Sequence, residues 1–192
     1  MKSKKSLNRK EKILLNKEVK NLLNREIIDR FVNRYDFLSN FYNAPVEYEG
    51  LVYRNSEAAF QSAKTTDMEE RKRFIAYAPS VAKLEGRNLF LRSDWEEVKD
   101  GVMYDVVKDK FTRNPDLKKR LLNTGKAVLI EGNWWHDNYW GNCTCLKCLD
   151  IPGKNQLGIT LMKVREELEE EEKLSRKRGR KPKNKNDGVE LC

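Results

Sequence analysis

The stretch "NSEAAFQSAKTTD", residues 55–67, reads as a capped helix with one odd face. Ser56 offers a hydroxyl for the N-cap, and the run that follows is free of Gly and Pro. Ala58, Ala59, Phe60 and Ala63 are small or apolar and call for a core. Glu57, Gln61 and Lys64, spaced four and three apart, share a single helical stripe beside them. Such a polar stripe is either a wet surface or the wall of a pocket, and the helix alone leaves both open.

Upstream, "FVNRYDFLSNFYNAPVEYEGLVYRNS" (residues 31–56) is aromatic and punctuated by turn residues. Val46–Tyr48 and Leu51–Tyr53 flank Glu49-Gly50, the pattern of a short hairpin. Downstream, "MEERKRFIAYAPSVAKLEGR" gives two helical pieces. Pro79 opens the second, and Gly86 is placed to close it in a left-handed cap. Asp94 and Glu97 form a capping-box variant ahead of the stripe Val98, Val102 and Val106. "NPDLKKRLLNTG" is a short helix, "AVLIE" a buried strand, and "ITLMKVREELEEEEKL" a last helix with Leu161, Val164 and Leu168 on one face. Strands and helices do not alternate regularly. The expected fold is therefore α+β, a helix-rich single domain with a small β-sheet.

The 192 residues fit one domain with extensions. The net charge of +9 is unevenly spread: residues 31–168 hold 21 Lys/Arg against 20 Asp/Glu, residues 1–30 hold 10 against 4, and residues 169–192 hold 8 against 6. A neutral body with basic ends argues against a nucleic-acid groove in the body itself. Residues 1–30 space Leu15, Val19, Leu22, Leu23 and Ile27 as a basic amphipathic helical extension. Residues 171–192 read as a basic disordered tail, and its "RKRGRKPKNK" suits weak contact with nucleic acid. No apolar run approaches the roughly 18–20 residues of a membrane span, and the N-terminus lacks the pattern of a secretory signal. A cytoplasmic, intracellular protein without membrane contact is expected.

The loop "GNWWHDNYWGNCTCLKCLDIPGKNQLG" (residues 132–158) concentrates three of the four tryptophans, the sole histidine and three cysteines. Large aromatics around an acid are costly to leave in water and normally cover something. With Asp137 and Trp140 here, and Trp95 and Arg92 nearby in sequence, the inventory suits a nucleotide-like ligand: planes for a base, a cation for phosphate, and carboxylates and amides for ribose. Cleaving a C–N glycosidic bond in such a pocket requires charge stabilisation at the anomeric carbon, a proton for the leaving nitrogen, and a nucleophile. Carboxylates meet the first two needs. A lysine of lowered pKa meets the third by forming an imine that water resolves. On spacing alone Lys64 is equally a solvated lysine, and Glu57 a first-turn acid favoured by the helix dipole.

The spacing C-x-C-x-x-C at Cys143, Cys145 and Cys148 supplies three thiolates where structural zinc takes four ligands. His136 is the nearest fourth donor, while Cys192 lies far off in the tail. Structural zinc and plain reduced thiols both fit, and His136 is not expected to act in catalysis. No cofactor is expected to be required beyond that candidate zinc.

The blocks "FLSNFYNAPVEYEGLVYRNSEAAFQSAK", "GRNLFLRSDWEEVKDGVMYDVVKDKF", "LLNTGKAVLIEGN", "DNYWG" and "GKNQLGITLMKVREEL" resemble the YbiA-like, or NADAR, family across residues 31–168. The resemblance implies an N-glycosidase domain over residues 31–170. Its substrate would be either a ribosylamino-pyrimidine phosphate of riboflavin synthesis or ADP-ribosyl-guanine in nucleic acid. It implies Glu57 and Lys64 as the working pair of the pocket and ligand contacts from Asn40, Phe41, Trp95, Asp137, Trp140 and Asn155. On their chemistry, Asp137 joins Lys64 and Glu57 as a catalytic group, and Gln61 and Arg92 join the substrate contacts. The family pattern usually carries a histidine and a tyrosine after the glutamate, where this chain has Ala58 and Phe60. The competing reading is a non-catalytic module that binds ADP-ribose or an NAD derivative and is tethered to nucleic acid by its tail.

Overall fold

The computed structural model describes residues 25–179. Strand β1 (Ile27–Ile28) is followed by a 3-10 turn at Asn33–Leu38 and by the hairpin β2 (Asn43–Tyr48) and β3 (Leu51–Asn55). Five helices follow: α1 (Ser56–Ser62), α2 (Met68–Arg73), α3 (Pro79–Glu85), α4 (Trp95–Arg113) and α5 (Pro115–Leu122). The short strands β4 (Val128–Leu129), β5 (Gly132–Asn133) and β6 (Asn142–Cys143) precede a 3-10 turn at Leu146–Cys148 and the long helix α6 (Gln156–Gly179). The class is α+β. The strands form three separate two-stranded ladders in place of one small sheet: β2–β3 antiparallel, β1–β4 parallel and β5–β6 parallel.

The hairpin turns where the sequence places it. Glu49 and Gly50 both have positive φ, 46° and 80°, the primed turn whose twist suits a two-residue connection. Tyr48 then pairs with Leu51 and Val46 with Tyr53, which turns Val46, Tyr48 and Tyr53 inward. Helices α4 and α6 supply a large further part of the core. Val102, Met103, Val106, Val107 and Phe111 of α4 are buried with Leu157, Leu161, Val164 and Leu168 of α6, at spacings that keep each set on one face. Each fully buried Leu or Val contributes roughly 1.5–3 kcal/mol of apolar transfer.

Four local expectations are corrected. The N-cap of α1 is Asn55, whose Oδ1 accepts the Ala58 N–H at 2.8 Å. Ser56 is already the first helical residue. Gly86 closes α3 with φ −63°, so no left-handed cap is involved. A Cβ there would lie 2.1 Å from Gln61 Oε1, so glycine is needed because α3 presses on α1. Ile27, counted with the amphipathic lead, lies in β1 and pairs with Val128, because the parallel ladder satisfies backbone groups that a continued helix would leave beside β4. Residues 171–179 are helical, since Glu169–Lys173 and Glu172–Arg176 pairs bridge successive turns of α6. The rest of the expected lead helix and of the basic tail lies outside the described residues.

Candidate active site

A cavity of about 1030 Å³ opens between α1, α3, the start of α4 and the segment after β5. Its size suits a nucleotide-sized ligand. The polar stripe of residues 55–67 forms one wall, and Glu57, Gln61 and Lys64 all line it. Two backbone bonds hold this wall in place. The Glu57 N–H donates to the Asn40 carbonyl at 3.1 Å, fixing the "LSNFY" turn against α1. The Arg92 N–H donates to the Lys64 carbonyl at 2.8 Å, tying in the chain that leads to α4.

The electrostatics of the wall follow from burial. Glu57 is 7% exposed, and desolvation raises its pKa against the pull of the Gln61 amide, Lys83 and Lys64. Gln61 Nε2 donates to Glu57 Oε1 at 2.9 Å. Lys64 follows α1 in a tight turn, and among the described residues its Nζ reaches only the Gly86 carbonyl, at 3.4 Å. Desolvation lowers its pKa, partly offset by Glu57 and reinforced by Arg87 and Lys83. The competition between burial and the neighbouring glutamate thus resolves toward a more easily deprotonated amine.

Aromatic rings line the cavity beside this stripe. Phe60 stands between Trp95 and Trp140, with ring centroids at 5.2 and 5.1 Å. The phenylalanine at this position therefore packs between the two tryptophans in tilted and edge-to-face contacts. Asp137 lines the cavity too, and its Oδ1 accepts the N–H groups of Tyr139 (3.0 Å) and Trp140 (2.9 Å). Asn133, 1% exposed, organises this segment. Its Oδ1 accepts from Trp135 N–H and Asp137 N–H, and its Nδ2 donates to the Asp137 carbonyl. Asn40 and Phe41 also line the cavity, with Asn40 Nδ2 against Met103 Sδ at 3.3 Å.

Two expected ligand contacts lie elsewhere. The Arg92 guanidinium is held by Asp94 through bonds of 2.6 and 2.9 Å, and only its backbone meets the site. The capping-box role expected of Asp94 fails for the same reason: its carboxylate is engaged by Arg92 and makes no cap bond. Asn155 spans β4 and β5, accepting from the Glu131 N–H at 3.0 Å and donating to the Leu129 carbonyl at 2.8 Å. It supports the cavity wall without lining it.

Several cavity residues carry no individual site expectation from the sequence, among them Glu131, Lys83, Trp135 and Tyr139. Glu131 is the most consequential. Burial, with Asp137 and Glu57 adding negative charge, pushes its pKa up to about 8. Its Oε2 has no hydrogen-bond partner among the described residues, and neither has Gln61 Oε1. The signal in the sequence was an acid ending the apolar strand "AVLIE". Lys83 bears on Glu57, Lys64 and Glu131 alike, and its Nζ lies 5.6 Å from both the Phe41 and Trp135 rings. Arg30 and Arg87 also line the cavity and with Lys83 supply the cations expected of Arg92.

Beside this site, His136 and the three cysteines form a cluster able to hold a metal ion.

Comparison with known proteins identifies the family of this chain. The NADAR domain model matches residues 27–169. N-glycosidase YbiA of Shigella flexneri is 37% identical over 137 residues, 70% of this chain and 82% of that protein. The chloroplastic riboflavin biosynthesis protein PYRR of Arabidopsis thaliana is 34% identical over 142 residues, 71% of this chain and 22% of that protein. The solution NMR structure of Escherichia coli YbiA superposes with a TM-score of 0.67 at 32% identity, covering 83% of this chain and 92% of that one. The chain belongs to the NADAR family.

Proposed function

We propose that this protein is an N-glycosidase, a hydrolase that cleaves the C–N bond between a ribose and a base, and that Lys64 is its nucleophile. The reading rests on a desolvated amine and two carboxyl groups of raised pKa lining one aromatic-walled cavity. Support comes also from relatives named N-glycosidases and a riboflavin biosynthesis protein.

Trp95, Phe60 and Trp140 make the apolar wall against which a base stacks, and Lys83, Arg87 and Arg30 take phosphate. Asp137, whose Oδ1 is already occupied by two amides, offers its other oxygen to a ribose hydroxyl and to charge developing at the anomeric carbon. Glu131 carries a proton below about pH 8 and gives it to the departing nitrogen. As that bond breaks, neutral Lys64 Nζ forms a bond to the anomeric carbon. The ring oxygen takes a proton, the lysine nitrogen loses one, and the ring opens to an imine. Water, deprotonated by the Glu131 or Glu57 carboxylate, adds to the imine carbon and frees both lysine and sugar.

The cavity chemistry fits a ribosylamino-pyrimidine phosphate and an ADP-ribosylated guanine alike. The basic ends, carrying the excess charge of the chain, favour a substrate borne on nucleic acid. The test is incubation of the full chain with both substrates, with chromatography of free base and free sugar phosphate. Release from one or both supports the enzyme. Tight ADP-ribose binding with release from neither would leave the binding module instead.

A further inference from the structure

We propose that His136, Cys143, Cys145 and Cys148 bind one structural zinc ion, and that this metal clamps the segment carrying Asp137, Tyr139 and Trp140 into the cavity wall.

The four donor atoms lie within 4.8 Å of one another. His136 Nδ1 is 3.2 Å from Cys145 Sγ and 3.4 Å from Cys148 Sγ. A zinc tetrahedron with Zn–N near 2.0–2.1 Å and Zn–S near 2.3 Å has N···S edges of about 3.5 Å and S···S edges of about 3.8 Å. The two imidazole–thiol distances thus approach such edges, and all four donors lie near enough to converge on one ion. Three thiols and an imidazole form a complete set of soft and borderline donors, the composition of a closed structural site. No coordination position is left for a reactant, and none of the four residues lines the cavity.

The backbone is shaped to bring these donors together. His136 has φ 68°, a left-handed conformation that costs a non-glycine residue roughly 1 kcal/mol or more. Pairing of β6 with β5 delivers Cys143, and the 3-10 turn at Leu146–Cys148, with the Cys148 N–H on the Cys145 carbonyl at 3.0 Å, folds Cys145 and Cys148 back onto it. The Leu146, Leu149 and Ile151 side chains are exposed, so this lobe has little apolar packing of its own to hold its shape. A metal supplies what the core does not.

The link to the cavity is covalent and short. His136 precedes Asp137. Cys143 N–H donates to Asn138 Oδ1 at 2.8 Å, and Thr144 N–H donates to the carbonyl of Asn133, the hub of the Asp137 segment. These contacts pass the metal's constraint to the wall. The metal assignment is independent of which substrate the cavity takes.

The test is metal analysis of the full chain purified under reducing conditions without added chelator. The expected result is about one zinc per chain, displaced stoichiometrically by a thiol-modifying mercurial. After exchange, cobalt(II) should give the d–d bands of a tetrahedral site together with sulfur-to-cobalt charge transfer. C145S and H136A should retain helical circular dichroism yet fall to about a tenth of the wild-type zinc content or less. If either variant does not fold, the cobalt spectrum of the wild-type chain decides. On chelation, the tryptophan emission of Trp134, Trp135 and Trp140 should shift to longer wavelength. Zinc far below one per chain with all three thiols free, iron in its place, or an octahedral cobalt spectrum would overturn the site. Unchanged tryptophan emission on full metal removal would overturn the clamp.

Discussion

Two lysines of this protein are taken out of water in different ways. Lys64 lines the cavity, and its Nζ has one long contact, to the Gly86 carbonyl. Lys110, on α4, is 1% exposed. Its Nζ donates to the Ser39 carbonyl at 2.8 Å and sits 5.3 and 5.7 Å from the Phe111 and Tyr42 rings. Burial depresses both amines, Lys110 to about 7. Only Lys64 opens onto space a ligand can fill. A depressed pKa marks desolvation, and access decides whether the amine reacts or merely braces the fold. Lys110 supports the site from behind, because the turn it holds at Ser39 carries Asn40 and Phe41 into the cavity.

The sharpest way to break this contrast is kinetic. Lys64→Ala should lower single-turnover base release by on the order of 10³-fold or more, since it removes the nucleophile. Lys110→Met, which keeps the length and apolar stem, should leave the rate within about threefold. Comparable losses in the two variants would erase the distinction.

Glu131→Gln should slow release by about 10²–10³-fold, the scale of a lost general acid. The wild-type rate should fall as pH rises through about 8, where Glu131 gives up its proton, and the variant should lose that alkaline limb. The same change should stabilise the fold at pH 7. A carboxyl whose folded pKa is raised keeps its full contribution below its unfolded value of 4.5, and the contribution declines as pH climbs toward 8. An amide escapes that loss. Lower urea stability of Glu131→Gln at pH 7 would count against a desolvated, protonated Glu131.

The smallest effects expected on activity belong to the Lys110 variants, and Lys110→Ala shows itself in stability instead. It should cost about 2–4 kcal/mol of stability, measured by urea denaturation, through lost packing and an unpaired Ser39 carbonyl. Lys110 also reverses the pH sign of Glu131. With its folded pKa near 7 and its unfolded value near 10.5, the unfolded chain holds more protons between those limits, so the Lys110 contribution strengthens as pH rises across that window. Lys110→Met should flatten that rise.

What the sequence revealed follows the same division between local and distant. Glu57 and Gln61 were legible as one face because helical spacing puts them there, whereas Lys64, expected on the same helix, lies in the turn after α1 ends at Ser62 and still reaches the same wall. The Glu49-Gly50 turn was legible because few residues tolerate its backbone. The cysteine spacing and the proximity of His136 pointed to the cluster for equally local reasons. Arg92 and Asn155 misled because polar loop residues have short-range partners that composition does not reveal. Asp94 lies two residues from Arg92, and Asn155 is consumed by backbone groups of Leu129 and Glu131. Glu131 and Lys83 were invisible as site residues because they come from elements that meet Glu57 only in the folded chain. The three separate ladders were hidden likewise, since parallel pairs such as Ile27 with Val128 join strands a hundred residues apart.

The central claim is that a desolvated amine at Lys64 bonds to the sugar carbon. Borohydride reduction during turnover, followed by peptide mass spectrometry of the full chain, tests it most directly. One sugar adduct is expected, on the peptide containing Lys64, and none in Lys64→Ala. Base release at full rate with no trapped adduct, or an adduct that persists in Lys64→Ala, would contradict it.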